Sequence, residues 1–372
     1  MNKNKAAHKP ETAIESERTD KAEARLLPDL RAAGLDEIAA VVRQLEQPAY
    51  RAQQIFDWIQ KGIRSFADMT NLPADLRRRL AEEAELTTLE ALKIQISKID
   101  QTRKYLFGLA DGEAIESVYM EHSYGTSGCI SSQVGCAMSC SFCASTQGGL
   151  VRQLSAAEMI EQVNAMERDT GQPISRIDVM GSGEPLLNYA NLSRFLERMH
   201  DPRGRNMSYR AFTVSTCGII PGIEALGRDF PQVNLAISLH APNDVIRQQL
   251  MPINRSYPVK ELLAVCKAHA DRTGRQLTYE YILIAGVNNK SEHAAELANR
   301  LAGSLCHVNL IFLNPVTESG YKPSSMAAAR VFTELLAKKG VSSTIRKSMG
   351  ADIDGACGQL RRSSVTGHKD IK

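Results

Sequence analysis

Three cysteines lie close together in the sequence, at a spacing that suits metal ligation. In the segment GCAMSCSFCAST, three residues separate Cys136 from Cys140, and two separate Cys140 from Cys143. Three thiolates on one loop can hold three corners of a four-iron, four-sulfur cluster, which leaves the fourth iron open to another ligand. The main alternative is structural zinc, which needs four Cys or His ligands. No histidine lies between His122 and His200 to provide a fourth local ligand.

The composition is that of an ordinary globular protein. The chain has 372 residues, of which 43% are hydrophobic and 23% charged, and this length predicts one main domain with a small accessory domain. No apolar run approaches the roughly 18 residues of a membrane span, and the first residues lack the apolar centre of a secretory signal. We therefore expect a cytoplasmic protein with no membrane contact, whose thiols are reduced.

The charge of the chain alone does not indicate a nucleic-acid partner, because the net charge is only +3. Local arginine clusters are candidate phosphate contacts. They are Arg77, Arg78 and Arg79; Arg203, Arg205 and Arg210; and Arg361 with Arg362. A solvated surface explains any one of these clusters equally well.

Apolar periodicity divides the chain into segments. Residues 1–25 have no such period and are predicted to be a disordered leader, whereas residues 26–88 have a helical pattern and form an accessory domain. A β-segment over 89–120 contains the hairpin dipeptide Asp111-Gly112. From 121 to 349, apolar strands alternate with helices, which predicts an α/β fold with a parallel sheet. Residues 350–372 form a C-terminal loop and basic tail.

Polar residues follow several of these predicted strands. In MGSGEP, Gly183 permits close backbone approach and Glu184 offers a carboxylate to an ammonium group. Four more polar residues lie at or near strand ends, namely Ser215, Ser238, His240 and Asn314. The carboxyl ends of parallel strands carry the active residues of such folds. A tight turn, helix caps and satisfied core groups are the alternative explanation for these positions.

The CxxxCxxC spacing resembles the defining motif of the radical S-adenosylmethionine (radical SAM) superfamily. That resemblance implies a partial (β/α)6 barrel with a small N-terminal helical accessory domain. It also implies that the open iron of a 4Fe-4S cluster binds the amino and carboxyl groups of S-adenosylmethionine (SAM). One electron from the cluster then cleaves SAM to a 5′-deoxyadenosyl radical.

Longer motifs narrow the resemblance. Seven segments carry it: GCISSQVGCAMSCSFCAST, MGSGEPLLN, VSTCGIIP, AISLHAPND, LMPINRSYP, VNLIFLNP and RKSMGADIDGACGQL. They resemble segments of the RlmN family of RNA adenine methyltransferases, whose sister is Cfr. The resemblance runs from about residue 48 to 362, with the segments in the same order as in the family. The family implies methylation of adenine C2 in 23S rRNA, and in some members also in tRNA beside the anticodon. It further implies a monomer that receives electrons from a donor such as flavodoxin or ferredoxin.

The resemblance assigns roles to individual residues. Cys357 would accept a methyl group from a first SAM molecule, Cys129 would later form a disulfide with Cys357, and Glu116 would accept a proton from the base. Cys136, Cys140 and Cys143 would hold the cluster. The residues implied to contact SAM are Gly183, Glu184, Ser215, Ser238, Leu239, His240 and Asn314, with Leu239 acting through its backbone. Cys217, Cys266 and Cys306 match no catalytic position of the family.

Two departures from the family pattern affect loops near the expected cofactor. Ser182 stands where the family often has Met, and CAST stands where it often has CATG. Three alternative functions remain open at this point. They are methylation of adenine C8 as in the sister family, radical chemistry on a peptide or small metabolite, and a zinc-stabilised RNA-binding module.

Overall fold

The structure is a computed structural model that describes residues 27–314, 320–346 and 348–353. The predicted leader, Cys357, Arg361 and Arg362 therefore lie outside the described residues. Within the described ranges, no helix is long and apolar enough to span a membrane.

The N-terminal part is a small helical domain, as the sequence predicts. It contains α1 (Leu35–Gln44), α2 (Arg51–Gln60) and α3 (Ala74–Glu83). Ile55 and Ile59 of α2 are buried in its own hydrophobic core, and Trp58 packs at the edge of that core. Pro73 caps α3 from the position just before its first turn, where a missing N–H costs no hydrogen bond.

Three antiparallel strands follow the helical domain. They are β1 (Glu90–Ile96), β2 (Arg103–Gly108) and β3 (Ala114–His122). Gly112 has φ +84° in the turn between β2 and β3, a conformation that glycine adopts without strain. Strand β3 pairs with β4 (Gly125–Cys129), also antiparallel, so this segment extends the main sheet.

The main sheet continues with parallel strands after a two-stranded insertion. The insertion consists of β5 (Gln133–Gly135) and β6 (Leu150–Gln153), which pair with each other. The parallel strands that follow β4 are β7 (Arg176–Val179), β8 (Phe212–Thr216), β9 (Asn234–Ser238), β10 (Leu277–Leu283), β11 (Cys306–Phe312) and β12 (Ser342–Ile345). The order of the ten strands of this described sheet is β1-β2-β3-β4-β7-β8-β9-β10-β11-β12.

Helices connect the parallel strands. They are α4 (Ala156–Thr170), α5 (Tyr189–His200), α6 (Ile220–Asp229), α7 (Asp244–Leu250), α8 (Val259–Thr273), α9 (Ser291–Leu301) and α10 (Met326–Ala337). Helix α4 begins with the predicted capping box, in which Ser155 Oγ and the Glu158 carboxylate exchange bonds with each other's backbone N–H. In the described chain, β7 to β11 thus each lead into a helix, as β4 does after the β5–β6 insertion, which confirms the predicted α/β fold.

A buried ion pair joins the helical domain to this α/β domain. Arg31 Nε lies 2.9 Å from Glu161 Oε2 of α4, and both side chains are fully buried. Arg31 also donates to the carbonyl of Ile63, and the other oxygen of Glu161 lies 2.6 Å from Arg168. Burial lowers the pKa of Arg31, and the charge of Glu161 opposes that effect. The Glu161 carboxylate therefore stabilises the charged form of the buried Arg31 guanidinium.

Removal of that carboxylate should destabilise the protein strongly. Glu161→Ala leaves Arg31 as a buried charge without its carboxylate, so we expect the free energy of unfolding to fall by about 3–5 kcal/mol. Chemical unfolding followed by circular dichroism measures the change. Asp271→Ala is the matched control, because its pair with Lys267 is 62% and 57% exposed and such pairs contribute about 0–1 kcal/mol. Equal effects of the two substitutions would contradict a role for the buried pair in holding the domains together.

Candidate active site

The loop that carries the three motif cysteines lies between β5 and β6 and is held by backbone contacts. Cys136 N donates to Gly149 O over 3.1 Å, so the start and end of the loop are joined. Thr146 Oγ1 donates to Cys143 O over 2.9 Å, and Ser141 N donates to Leu250 O at the end of α7. The loop therefore has a defined shape within the protein itself.

The cysteine loop forms one wall of a pocket at the carboxyl ends of the parallel strands, here called the cysteine pocket. Eight of the predicted site residues line it: Cys136, Cys140, Cys143, Gly183, Glu184, Ser215, Ser238 and His240. Residues that the sequence analysis did not single out also line it, among them Glu280, Ile282, Ile311 and Arg346. The fold thus brings the cysteine motif and residues of, or just after, six strands, β7 to β12, to one place.

The turn after β7 lies against the residues that follow β4. Gly183 has φ +109°, and a Cβ atom there would lie 2.6 Å from Cβ of Gln133, so only glycine fits. Glu184 N donates to Gln133 Oε1 over 2.8 Å, and Ser182 N donates to Ser131 Oγ over 3.0 Å. These contacts fix the position of Glu184 in the pocket.

The Glu184 carboxylate is buried and already accepts two backbone hydrogen bonds. Oε2 accepts from Cys217 N over 2.7 Å, and Oε1 accepts from Leu186 N over 3.1 Å. Burial raises the pKa of Glu184, while these hydrogen bonds act in the opposite direction. A buried carboxylate in a ligand pocket is a suitable partner for an ammonium group.

Burial dominates the titration of the motif thiols. It raises the pKa of Cys136 to about 11 and raises the pKa of Cys140 further, and the neighbouring thiols add to both shifts. Because only the thiolate ligates a metal, a bound cation must offset this cost of ionisation. A positively charged iron centre would supply the compensation that these buried thiolates need.

His240 is neutral in this environment. It has φ +57°, and its Nδ1 accepts a hydrogen bond from Ile282 N over 3.1 Å. Burial lowers the pKa of His240 to about 3, and the charge of Arg247 acts in the same direction. The proton of the neutral ring is therefore on Nε2, which is left as a hydrogen-bond donor.

A fully buried arginine lies next to the cysteine pocket. Arg247 of α7 donates to Cys217 O over 2.6 Å, to Asn254 Oδ1 and to Tyr257 O. These acceptors are neutral, and no carboxylate of the described residues forms an ion pair with this guanidinium. Buried charges are normally paired. An anionic group in the pocket, such as a cluster with three thiolate ligands, would pair with this charge.

The two departures from the family pattern meet each other in the structure. Ser182 Oγ donates to Ser145 Oγ over 3.3 Å, and both side chains are buried. Ser182 belongs to the turn that carries Glu184, and Ser145 follows the last motif cysteine. The two serines therefore join the cysteine loop to the neighbouring turn directly.

Cys129 and Glu116 lie on the antiparallel side of the sheet and do not line the cysteine pocket. Cys129 is paired in register with Val118 of β3 and packs against the buried cluster of Val118 and Met120, as Met349 does. Glu116 is two residues before Val118, so both side chains point to the same face of the sheet. Its carboxylate is buried and lies 2.9 Å from Lys104 Nζ.

The remaining predicted residues have different positions. Leu239 is fully buried beside Ser238, and its backbone N–H donates to Glu280 O. Asn314 does not line the cysteine pocket, and its Oδ1 accepts from Ser348 Oγ over 3.4 Å. Cys217, which matches no catalytic position of the family, does line the pocket.

The predicted arginine clusters mostly have partners within the protein. Arg78 pairs with Asp75 and Glu82, Arg203 with Asp201, and Arg205 with Glu167, while Arg77 donates to Ala67 O. Phosphate binding at these positions would compete with the existing contacts. The acidic partners of Arg78 and Arg203 lie within four residues of them in the chain, whereas Glu167 lies 38 residues from Arg205 and could not be inferred from the sequence.

The donor set of the pocket fits an iron-sulfur cluster. In the described part of the chain, no group of three or more His, Cys, Asp or Glu side chains is close enough to hold a single metal ion. A cluster does not require such closeness, because each thiolate binds a different iron. The three pocket thiols, the carboxylate of Glu184 and the buried charge of Arg247 together suit a cluster with a bound zwitterionic ligand.

Comparison with known protein families identifies both domains. Residues 130–298 match the radical SAM superfamily, and residues 29–86 match the ribosomal RNA large subunit methyltransferase N-terminal domain. A radical SAM methyltransferase from Sphaerobacter thermophilus is 42% identical in sequence. Its crystal structure superposes with a TM-score of 0.87, over 90% of this chain and 100% of that one.

Similar curated proteins cover nearly the whole chain. A probable dual-specificity RNA methyltransferase RlmN of Pelotomaculum thermopropionicum is 49% identical over 90% of both chains. The corresponding protein of Alkaliphilus oremlandii is 48% identical over 91% of this chain and 98% of its own. With the matching order of domains and the assembled cysteine pocket, these similarities show that the chain belongs to the RlmN family of radical SAM RNA methyltransferases, which use a 4Fe-4S cluster and SAM.

Proposed function

We propose that this enzyme methylates C2 of an adenine in the peptidyl-transferase region of 23S rRNA, and an adenine beside the anticodon of tRNA. Family membership supports RNA methylation, and the names of the relatives describe dual-specificity enzymes. The observation that carries the proposal is the cysteine pocket, where the three motif thiols face Glu184, Ser215, Ser238 and His240.

The residues of the pocket have distinct tasks in this proposal. Cys136, Cys140 and Cys143 hold three irons, and Glu184 binds the ammonium group of SAM. Ser215, Ser238 and the Nε2–H of His240 are available to hydrogen-bond its polar groups, and Leu239 and Asn314 complete the proposed contacts. When bound, the cluster and SAM supply a 5′-deoxyadenosyl radical. The buried walls of the pocket exclude water from that chemistry.

Two further cysteines are needed because C2 of adenine is not a nucleophile and cannot take a methyl group by simple displacement. The thiolate of Cys357 first accepts a methyl group from SAM. Hydrogen abstraction from this methyl group leaves a carbon radical that bonds to C2 and joins the protein to the RNA. The one electron that this adduct must lose would return to the oxidised cluster. Glu116 accepts the proton that leaves C2. The thiolate of Cys129 then attacks the sulfur of Cys357, so a disulfide forms and the sulfur–carbon bond breaks. The released carbon takes up a proton and becomes the methyl group of the free base.

The positions of Cys129 and Glu116 support these roles. Both are on strands that pair directly, and their side chains are on one face of the sheet. Met349, eight residues before Cys357 in the chain, packs against the same cluster of Val118 and Met120 as Cys129 does. The ion pair with Lys104 fixes the position of the Glu116 carboxylate.

The partners of the enzyme follow from the same proposal. The helical domain would bind folded RNA by its shape and phosphates, and a flavodoxin or ferredoxin would supply electrons to the cluster. We propose that the enzyme acts as a cytoplasmic monomer. These proposals rest on the family and not on a contact seen in the structure.

The modified RNA tests the proposed function directly. In cells that lack the protein, we expect 2-methyladenosine to be missing from 23S rRNA and from tRNA, because the proposed reaction is the step that forms it. Mass spectrometry of digested RNA measures it, and a restored copy of the gene is the control. A missing 8-methyladenosine would assign the chain to the chemistry of the sister family, and an unchanged RNA would contradict the proposal.

Replacement of Cys129 should trap the covalent intermediate. In Cys129→Ala, the protein–RNA bond forms but cannot be resolved, so we expect a crosslinked species on a denaturing gel that depends on SAM and a reductant. Cys306→Ala is the control, because Cys306 is a buried cysteine outside the cysteine pocket. It should release free methylated RNA. Release of free, fully methylated RNA by Cys129→Ala would contradict the resolving role.

A further inference from the structure

One oxygen of a buried carboxyl group in the cysteine pocket lacks a hydrogen-bond partner. Glu280 of β10 is 5% exposed, and its Oε1 accepts a hydrogen bond from Asn309 Nδ2 over 3.0 Å. Its Oε2 is buried and accepts no hydrogen bond within the described residues. The nearest cationic atom is Arg346 Nη1 at 3.8 Å, which exceeds hydrogen-bond distance.

The sheet holds this carboxyl group in a fixed orientation. Four residues are paired in register across neighbouring strands, in the order Ser238, Glu280, Asn309 and Thr344. Thr344 Oγ1 donates to Asn309 Oδ1 over 3.0 Å, so the amide nitrogen of Asn309 is directed at Glu280. Oε1 is therefore occupied by the neighbouring strand, and Oε2 is left for another group.

The unsatisfied oxygen belongs to a residue that lines the cysteine pocket. Glu280 and its neighbour in register, Ser238, both line the pocket that contains the motif thiols. A buried oxygen without a hydrogen bond costs about 1–3 kcal/mol, and such groups are rare in native proteins. A ligand in the pocket that donates to Glu280 would remove this cost.

The chemistry of the site favours a hydroxyl group as that donor. Burial raises the pKa of Glu280, whereas Arg346 and the hydrogen bond from Asn309 oppose the shift. A hydroxyl group suits either protonation state, because it donates to a carboxylate and accepts from a carboxylic acid. An amino group of a base suits only the ionised form. Carboxylates bind ribose hydroxyls in dinucleotide sites in the same way.

We propose that Glu280 binds a ribose hydroxyl of SAM and makes the pocket selective for the ribonucleoside form of this cofactor. The inference rests on the cofactor site proposed above. The target nucleotide of the RNA also carries a ribose, but the position of Glu280 next to Ser238, within the pocket of the cluster ligands, favours the cofactor. Glu280 is thus a specificity residue for the cofactor, in addition to the contacts that the family implies.

Binding of SAM analogues in the absence of RNA tests this proposal. The protein is loaded with its cluster anaerobically, and calorimetry measures the Kd of SAM and of its 2′-deoxy and 3′-deoxy forms. We expect wild-type protein to bind at least one deoxy form about tenfold or more weakly than SAM, the loss of a hydrogen bond to a charged group. Glu280→Gln keeps an oxygen for Asn309 but turns an amide NH2 towards the pocket. A hydroxyl group would then accept only a weaker, neutral hydrogen bond, so this discrimination should fall about threefold or more.

The control variant is Glu296→Gln, an identical change at a carboxylate of α9 that contacts Asn243 and Arg300 outside the pocket. It should retain the full discrimination. Equal binding of SAM and both deoxy forms by wild-type protein would overturn the inference while the cofactor site stands. Unchanged discrimination in Glu280→Gln, with weaker RNA binding, would overturn it by assigning the carboxyl group to the RNA. If wild-type protein does not bind SAM, the proposed cofactor site and this inference are both wrong.

Discussion

Burial of ionisable groups in one water-poor pocket is the constraint on which the whole site depends. Cys136, Cys140 and Glu184 lose solvation there, which favours their neutral forms, and burial leaves His240 neutral as well. Thiolates form in such a place only when a cation compensates them. Arg247 adds a buried positive charge whose hydrogen-bond partners are neutral. A cluster with three thiolate ligands and an amino-acid ligand meets both requirements.

The fold satisfies this constraint by joining segments that are far apart in the sequence. Ser131 donates to Glu116 O and accepts from Ser182 N, so it links β3 to the turn that carries Glu184. Gln133 and the Ser182–Ser145 contact attach the same turn to residues on either side of the three motif cysteines. Cys129, on the antiparallel side of the sheet, therefore has a fixed position relative to the cysteine pocket on the parallel side.

Local patterns allowed the α/β fold and the cysteine motif to be predicted from the sequence, because helical periodicity, the capping box at Ser155 and the cysteine spacing are properties of short segments. Long-range contacts could not be predicted. Nothing near Arg247 in the sequence indicates that it is buried beside the pocket, and Glu167, the partner of Arg205, lies 38 residues away in the chain. The sequence gives one weak indication that Glu280 has a special role, because it is the single acidic residue in the apolar strand LTYEYILI.

The open iron is the central claim of this account, and Mössbauer spectroscopy tests it most directly. The protein is reconstituted anaerobically with the Mössbauer-active isotope of iron, and spectra are recorded before and after addition of SAM. The account predicts a four-iron cluster in which one iron changes its spectrum when SAM binds, because only that iron lacks a cysteine. Failure to form a cluster, or a cluster whose irons all remain unaffected by SAM, would contradict it.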